Sequence, residues 1–217
     1  MLKRALTAAA LALAALSSNA QTVLLSENFD DFGSLAGKGW GAQNVSPFQD
    51  SSSTSWFQGD ASIFGAYSGS GESYIAANYN AATAGPILDF LYTPTFSLAN
   101  AGTVSFYAKS ANDPGFIDKL AFGIVTAGGI PLDLGLLVTH VISGEWTEYS
   151  WSFNALGAGA VGRFVIEYTG LASKADYVGI DNLTVTAVPE PSNYAMLAIG
   201  LLAVGYTARR RAATTKR

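Results

Sequence analysis

The chain has 217 residues, 49% of them hydrophobic, with no cysteine, one histidine and a formal net charge of −4. The missing cysteine excludes disulfides, thiol nucleophiles and zinc–thiolate sites, and the single His140 excludes a multi-histidine metal centre. Most of the positive charge sits at the two ends: residues 21–188 keep Lys38, Lys109, Lys119, Arg163 and Lys174 against fifteen carboxylates, a net charge of about −10, which excludes the basic patch that nucleic-acid binding requires.

Lys3-Arg4, an apolar run over 5–16 and the small residues of Ser18-Asn19-Ala20 predict a secretory signal peptide over residues 1–20, cleaved after Ala20. The alternative, a first transmembrane helix, is opposed by the shortness of the run and by the small-residue site that follows at once. A body over 21–187 comes next. It reads as β throughout, with strand-like runs at 23–29, 73–79, 88–92, 103–108, 119–125, 136–142, 147–153, 162–168 and 177–185. In 147–153, Tyr149, Trp151 and Phe153 alternate with Glu148, Ser150 and Ser152, which gives one buried and one wet face. Turn residues such as Asn112-Asp113-Pro114-Gly115 fall between runs. The fold class is therefore all-β, an antiparallel β-sandwich of the jelly-roll type.

Residues 33–72 differ. Gly, Ser, Gln and Asn dominate, with Trp40, Phe48, Trp56, Phe57, Phe64 and Tyr67 spaced among them. That is too aromatic for a disordered linker. It predicts loops packed on the sandwich, or a strand pair formed by Trp56-Phe57 and Ser62-Ile63-Phe64.

Candidate chemistry is sparse. His140 lies in a β-branched run with no Gly-x-Ser-x-Gly elbow in the chain, so a strand residue is the plain reading. A glycosidase needs two carboxylates facing one bond, and none sits in a recognisable catalytic motif. The sharper idea is a calcium ion held by Glu27, Asp30 or Asp31 at the end of the first strand and Asp181 in the last, because jelly rolls set those strands side by side and a carboxylate flanked by Ile180 and Leu183 needs a partner. The alternative is that Asp181 bonds backbone amides or is exposed. Trp40 and Trp56 could stack on sugar rings; the alternative is that they cover a face of the sandwich. Trp151 reads as core, and Trp146 as a turn residue.

The end of the chain is tripartite: Pro189-Glu190-Pro191, an uncharged stretch over 195–205 between Tyr194 and Tyr206, and Arg209-Arg210-Arg211. The prolines hold Glu190 extended, and the apolar stretch with a basic stop reads as a short membrane helix with its basic end inside. The alternative is a buried core helix. In order and spacing this tail, residues 188–217, resembles the PEP-CTERM sorting signal of Gram-negative exported proteins. The resemblance implies handling by an exosortase at the inner membrane, in bacteria that make exopolysaccharide.

The body carries a second resemblance. Glu27-Asn28-Phe29-Asp30-Asp31, Gly39-Trp40, 71–76, Leu91-Tyr92-Thr93-Pro94, 104–107, Asp118-Lys119-Leu120, 146–149 and 178–185, in that order, look like the choice-of-anchor J and MAM-like jelly rolls. This implies a cell-surface module for adhesion or matrix association without catalysis; the cysteines of MAM domains are absent here. The expected function is an exported, exosortase-sorted, non-catalytic adhesive or structural protein of the envelope or extracellular matrix, linked to exopolysaccharide and biofilm. The runner-up is a carbohydrate-binding module for exopolysaccharide, and a hydrolase comes third.

Overall fold

Twelve β-strands and one short α-helix build residues 21–126 and 138–187, which are the residues the computed structural model describes. Residues Val23–Ala187 form one compact unit. The expected signal peptide over 1–20 and sorting tail over 188–217, with Pro189, Glu190, Pro191, Arg209, Arg210 and Arg211, lie outside the described residues. So do positions 136 and 137 of one predicted strand.

In chain order the elements are β1 (Thr22–Glu27), α1 (Phe32–Leu35), β2 (Gly41–Asn44), β3 (Phe57–Gln58), β4 (Ile75–Asn78), β5 (Pro86–Tyr92), β6 (Phe96–Ser97), β7 (Gly102–Ser110), β8 (Lys119–Thr126), β9 (Val138–Val141), β10 (Thr147–Phe153), β11 (Val161–Leu171) and β12 (Tyr177–Ala187). Sheet A has the order β10-β7-β12-β4-β3, with β1 also on β12; sheet B has the order β2-β5-β11-β8-β9, with β6 also on β11. The first and last strands are thus neighbours, as a jelly roll requires. The predicted antiparallel sandwich is the fold observed.

Period-2 alternation accounts for the layers. Along β7 every second residue is buried, and Val104, Phe106 and Ala108 enter the core while Thr103, Ser105, Tyr107 and Lys109 face outward. Val178, Ile180, Leu183 and Val185 of β12 join them from the same sheet. Ile87 and Leu91 of β5, Leu120 and Phe122 of β8, and Phe164, Ile166 and Tyr168 of β11 meet them from sheet B. Phe106 stands at the centre, edge-on to Phe122 at 5.0 Å.

Three details depart from the sequence reading. Of the two readings for 33–72 the strand pair between 56–57 and 62–64 does not form, and loops packed on the sandwich are what is observed: Phe57 and Gln58 pair with Ala76 and Ile75, and Phe64 packs as a loop side chain. Three strands, β2, β3 and β6, are additional to the predicted runs, and at four, two and two residues they are too short for an alternation to register. Trp151 is half-buried at the margin of the core rather than inside it. Among the described residues no helix is long and apolar enough to cross a membrane.

Candidate functional site

The loop between β3 and β4 crosses the outer face of sheet A and makes a second, aromatic cluster there, with Phe64, Tyr74 and Tyr177 buried and Trp146 packed against them. Phe64 stacks on Tyr74 at 5.2 Å and meets Trp146 edge-on at 5.6 Å, while Lys109 Nζ lies 5.3 Å from the centre of its ring. The loop is bolted at both ends. The Asp60 amide donates to the Tyr74 and Tyr177 hydroxyls, both at 3.0 Å, and Tyr74 Oη returns a bond to Asp60 O at 2.8 Å. At the far end Trp146 Nε1 donates to Gly65 O at 3.0 Å. Two glycines make room: a Cβ on Gly59 would stand 2.3 Å from the Tyr74 ring, and one on Gly179 of β12 would stand 2.7 Å from its other edge.

Asp181 is the keystone of this loop. Alternation points Asp181 of β12 outward beneath the loop, opposite Tyr107, and a β-bulge just after it, where the register on β7 shifts and Asn182 takes a left-handed φ of 49°, returns Leu183 and Val185 to the core. Asp181 itself is fully buried. Oδ2 accepts the Ser68 amide at 3.0 Å and Oδ1 accepts the Asn182 amide at 2.7 Å, while Ser68 Oγ donates to Asn182 Oδ1 at 2.8 Å. Burial pushes its pKa up to about 6, partly offset by those amides and helped by the nearby charge of Asp30.

The other residues proposed for calcium are engaged separately. Glu27 is buried and forms an ion pair with Lys38 Nζ at 2.9 Å. Asp31 caps α1, accepting the Gly33 amide at 2.9 Å. Among the described residues no three His, Asp or Glu side chains come together in a way that could hold a metal ion. Of the acidic residues at the end of β1, Asp30 is the one whose charge acts on Asp181.

Trp40 and Trp56 require a correction. Both are buried, at 6% and 3% exposure, and neither offers a ring face to a sugar. Trp40 packs edge-on to Phe29 at 5.1 Å and shows only its rim to a shallow apolar pocket of about 170 Å³ beneath α1. Trp56 Nε1 donates to Asp89 O at 3.2 Å. Tyr67 is exposed, at 43%, as is Phe48, at 53%. The Tyr67 ring lies flat on Tyr107 at 3.7 Å, and the hydrogen bond between the two hydroxyls, burial and the charge of Glu148 push the Tyr107 hydroxyl up to about 12. The composition of 33–72 marked Tyr67 as one aromatic among six, but nothing in the sequence separates the rings that sink from Tyr67 and Phe48, which stay out.

Two further carboxyl sites are internal. Asp89, on the side of β5 that carries Ile87 and Leu91, is fully buried between the sheets; Ser55 Oγ donates to its Oδ1 at 2.7 Å, and its Oδ2 has no partner among the described residues. Burial pushes its pKa up to about 7. Asp118, also buried, accepts the Tyr168 hydroxyl at 2.5 Å and the Asp176 amide at 2.8 Å. Burial raises both Asp118 and Asp176, and each is near Asp113. His140 is half-buried on β9 and stacks on Phe122 at 4.5 Å, a strand residue as its sequence context predicts.

No protein-family model and no curated protein matches the chain. Solved structures do. The K1 cleaved adhesin domain of Lys-gingipain from Porphyromonas gingivalis W83 is similar with a TM-score of 0.58 at 16% identity, covering 77% of this chain and 99% of that one. The K2 cleaved adhesin domain of Lys-gingipain gives 0.53 at 16% identity, over 74% and 98%. The carbohydrate-binding module TmCBM61, solved with β-1,4-galactotriose, gives 0.47 at 16% identity, over 73% and 97%. At these identities what is shared is the fold.

Proposed function

We propose that the chain is an exported surface protein whose β-sandwich works by adhering and not by catalysis. The observation that carries this reading is the likeness of the whole described body to two adhesin domains, each covered almost from end to end. The internal chemistry supports it. Asp181 and Asp118 spend their oxygens on backbone amides and a tyrosine hydroxyl, and His140 is packed flat on a phenylalanine. None of these groups stands poised over an open cleft as a nucleophile–base pair would. An acidic body suits weak contacts repeated over many copies on one surface. Deleting the protein should change cell aggregation or biofilm texture, and His140→Ala, if folded, should restore the wild-type behaviour. Restoration failing with a folded His140→Ala chain would point to catalysis instead.

Sorting belongs to the same proposal. Pro189-Glu190-Pro191 is the element an exosortase-type membrane enzyme would read, and the apolar stretch with Arg209-Arg210-Arg211 would hold it at the inner membrane. Replacing the three residues by alanine should leave the intact chain in the inner membrane. Mass spectrometry of the released C-terminus checks this, and normal release overturns it.

Calcium enters only through Asp30 and Asp181, whose charges act on one another. A bound cation would relieve that repulsion and raise stability by mass action. The melting temperature of the full-length chain should then fall on adding chelator, and Asp181→Asn should remove the difference. Equal melting of the wild type with and without chelator takes calcium out of the reading.

A further inference from the structure

The outer face of sheet A, beyond the aromatic cluster, carries an ordered array of hydroxyls. Ser150, Ser105 and Thr184 stand opposite one another on β10, β7 and β12, and Ser152, Thr103 and Thr186 form the next row. All six are exposed or half-exposed. The two rows are about 6.8 Å apart along the strands, and neighbouring strands about 4.8 Å apart across them. The row above them is Glu148 and Tyr107, where Tyr67 lies flat on Tyr107. One face of the Tyr67 ring is covered by Tyr107. The residue as a whole is 43% exposed. The ring is held there: the Ser68 amide is fixed to the buried Asp181 carboxylate, and Trp146 closes on Tyr67 edge-on at 6.3 Å.

We propose that this face binds a strand of neutral, polyhydroxylated polymer, a glycan, with Tyr67 as the stacking platform and Glu148 and the two hydroxyl rows as its hydrogen-bonding partners. The chemistry selects this occupant. A pyranose ring presents apolar C–H faces to an aromatic and hydroxyls at its rim, which matches a ring beside a carboxylate and a field of hydroxyls that both donate and accept. An anionic polymer would meet Glu148 and the surplus of carboxylates on the body. An apolar protein surface would take water from all six hydroxyls, of which Thr103 and Ser152 meet at 3.3 Å and Thr186 donates to Thr103 O at 3.3 Å. Tyr67 is ordered before any ligand arrives, which reduces the entropy lost on binding.

The proposal rests on the adhesive reading and names what is adhered to. Its test uses purified protein and is independent of export and of cell behaviour, so failure here leaves the cell-surface assay intact. The full-length chain in mild detergent is run through native gels containing hydroxyethylcellulose, arabinoxylan, galactan or dextran, with polygalacturonate as the anionic control. At least one neutral polymer should retard it. Tyr67→Ala should weaken that affinity roughly tenfold, and Tyr67→Phe should restore it because the ring remains. Glu148→Gln, on the exposed strand face, should weaken binding without moving the melting temperature. Retardation by none of the neutral polymers overturns the proposal, as does wild-type retardation of Tyr67→Ala and Glu148→Gln together, or retardation by polygalacturonate alone.

Discussion

Raising the pH from about 4 to neutrality is expected to destabilise the body, the reverse of ordinary acid denaturation, and Asp89 is the main cause. In the unfolded chain an aspartate titrates at its ordinary value of 3.8; between the sheets burial lifts Asp89 to about 7. A carboxyl raised in the folded state contributes its stability fully below the unfolded value, and loses it as the pH climbs through the folded one. At 1.36 kcal/mol per unit, the swing is on the order of 4 kcal/mol. Asp181, Asp118, Glu167 and Asp176 are shifted in the same direction, so they steepen the trend. Urea titrations of the full-length chain from pH 4 to pH 8 should show the midpoint falling with pH. Asp89→Asn keeps an oxygen for the Ser55 hydroxyl and removes the proton, so its curve should be flatter whatever its absolute stability. An unchanged slope in Asp89→Asn would mean that Asp89 stays charged in the fold, balanced by a group outside its Ser55 contact.

The second large effect is at Gly59. Its Cβ would lie 2.3 Å from the Tyr74 ring, which is fully buried, stacked on Phe64 and bounded by Gly179 on the opposite side. The ring has nowhere to go, and the loop backbone must lift instead. Overpacking of this kind costs about 1–3 kcal/mol, and the loss of the paired bonds between Asp60 and the two tyrosine hydroxyls argues for the upper end. Gly59→Ala should therefore melt several degrees lower, expose tyrosine fluorescence to quencher, and release the loop that carries Tyr67. If Gly59→Ala melts with the wild type, the loop is not fastened at Asp60.

The long strands were readable because their alternation runs for seven residues or more: β10 was bounded correctly at Thr147 and Phe153, and β7 and β8 to within two residues. The ends of β11 and β12 were placed short because Thr169, Gly170, Leu171 and Thr186 do not continue an apolar pattern. For Trp40 and Trp56, set among glycines and serines, the sequence left a sugar platform and a packed cover both open, and tertiary packing decides for the second, beside Phe29 and Asp89. That Asp181 needs a partner was legible from its apolar neighbours. That the partner would be a backbone amide was one of the readings open; which amide was not legible, since it is that of Ser68, 113 positions away, delivered by a loop that no local signal places there. Asp89 was similarly hidden. In a strand whose two faces are both covered, a single polar residue gives no indication of which way it points.

The position of β12 has a mechanical consequence. It is the last strand of the body and an interior strand of its sheet, bonded to β7 along one side and to β4 and β1 along the other. A pull applied at Ala187 is resisted by many backbone bonds loaded in shear along eleven residues, whereas an edge strand would peel away one bond at a time. A domain tethered at that end and loaded by whatever it grips meets the tension with its least extractable strand.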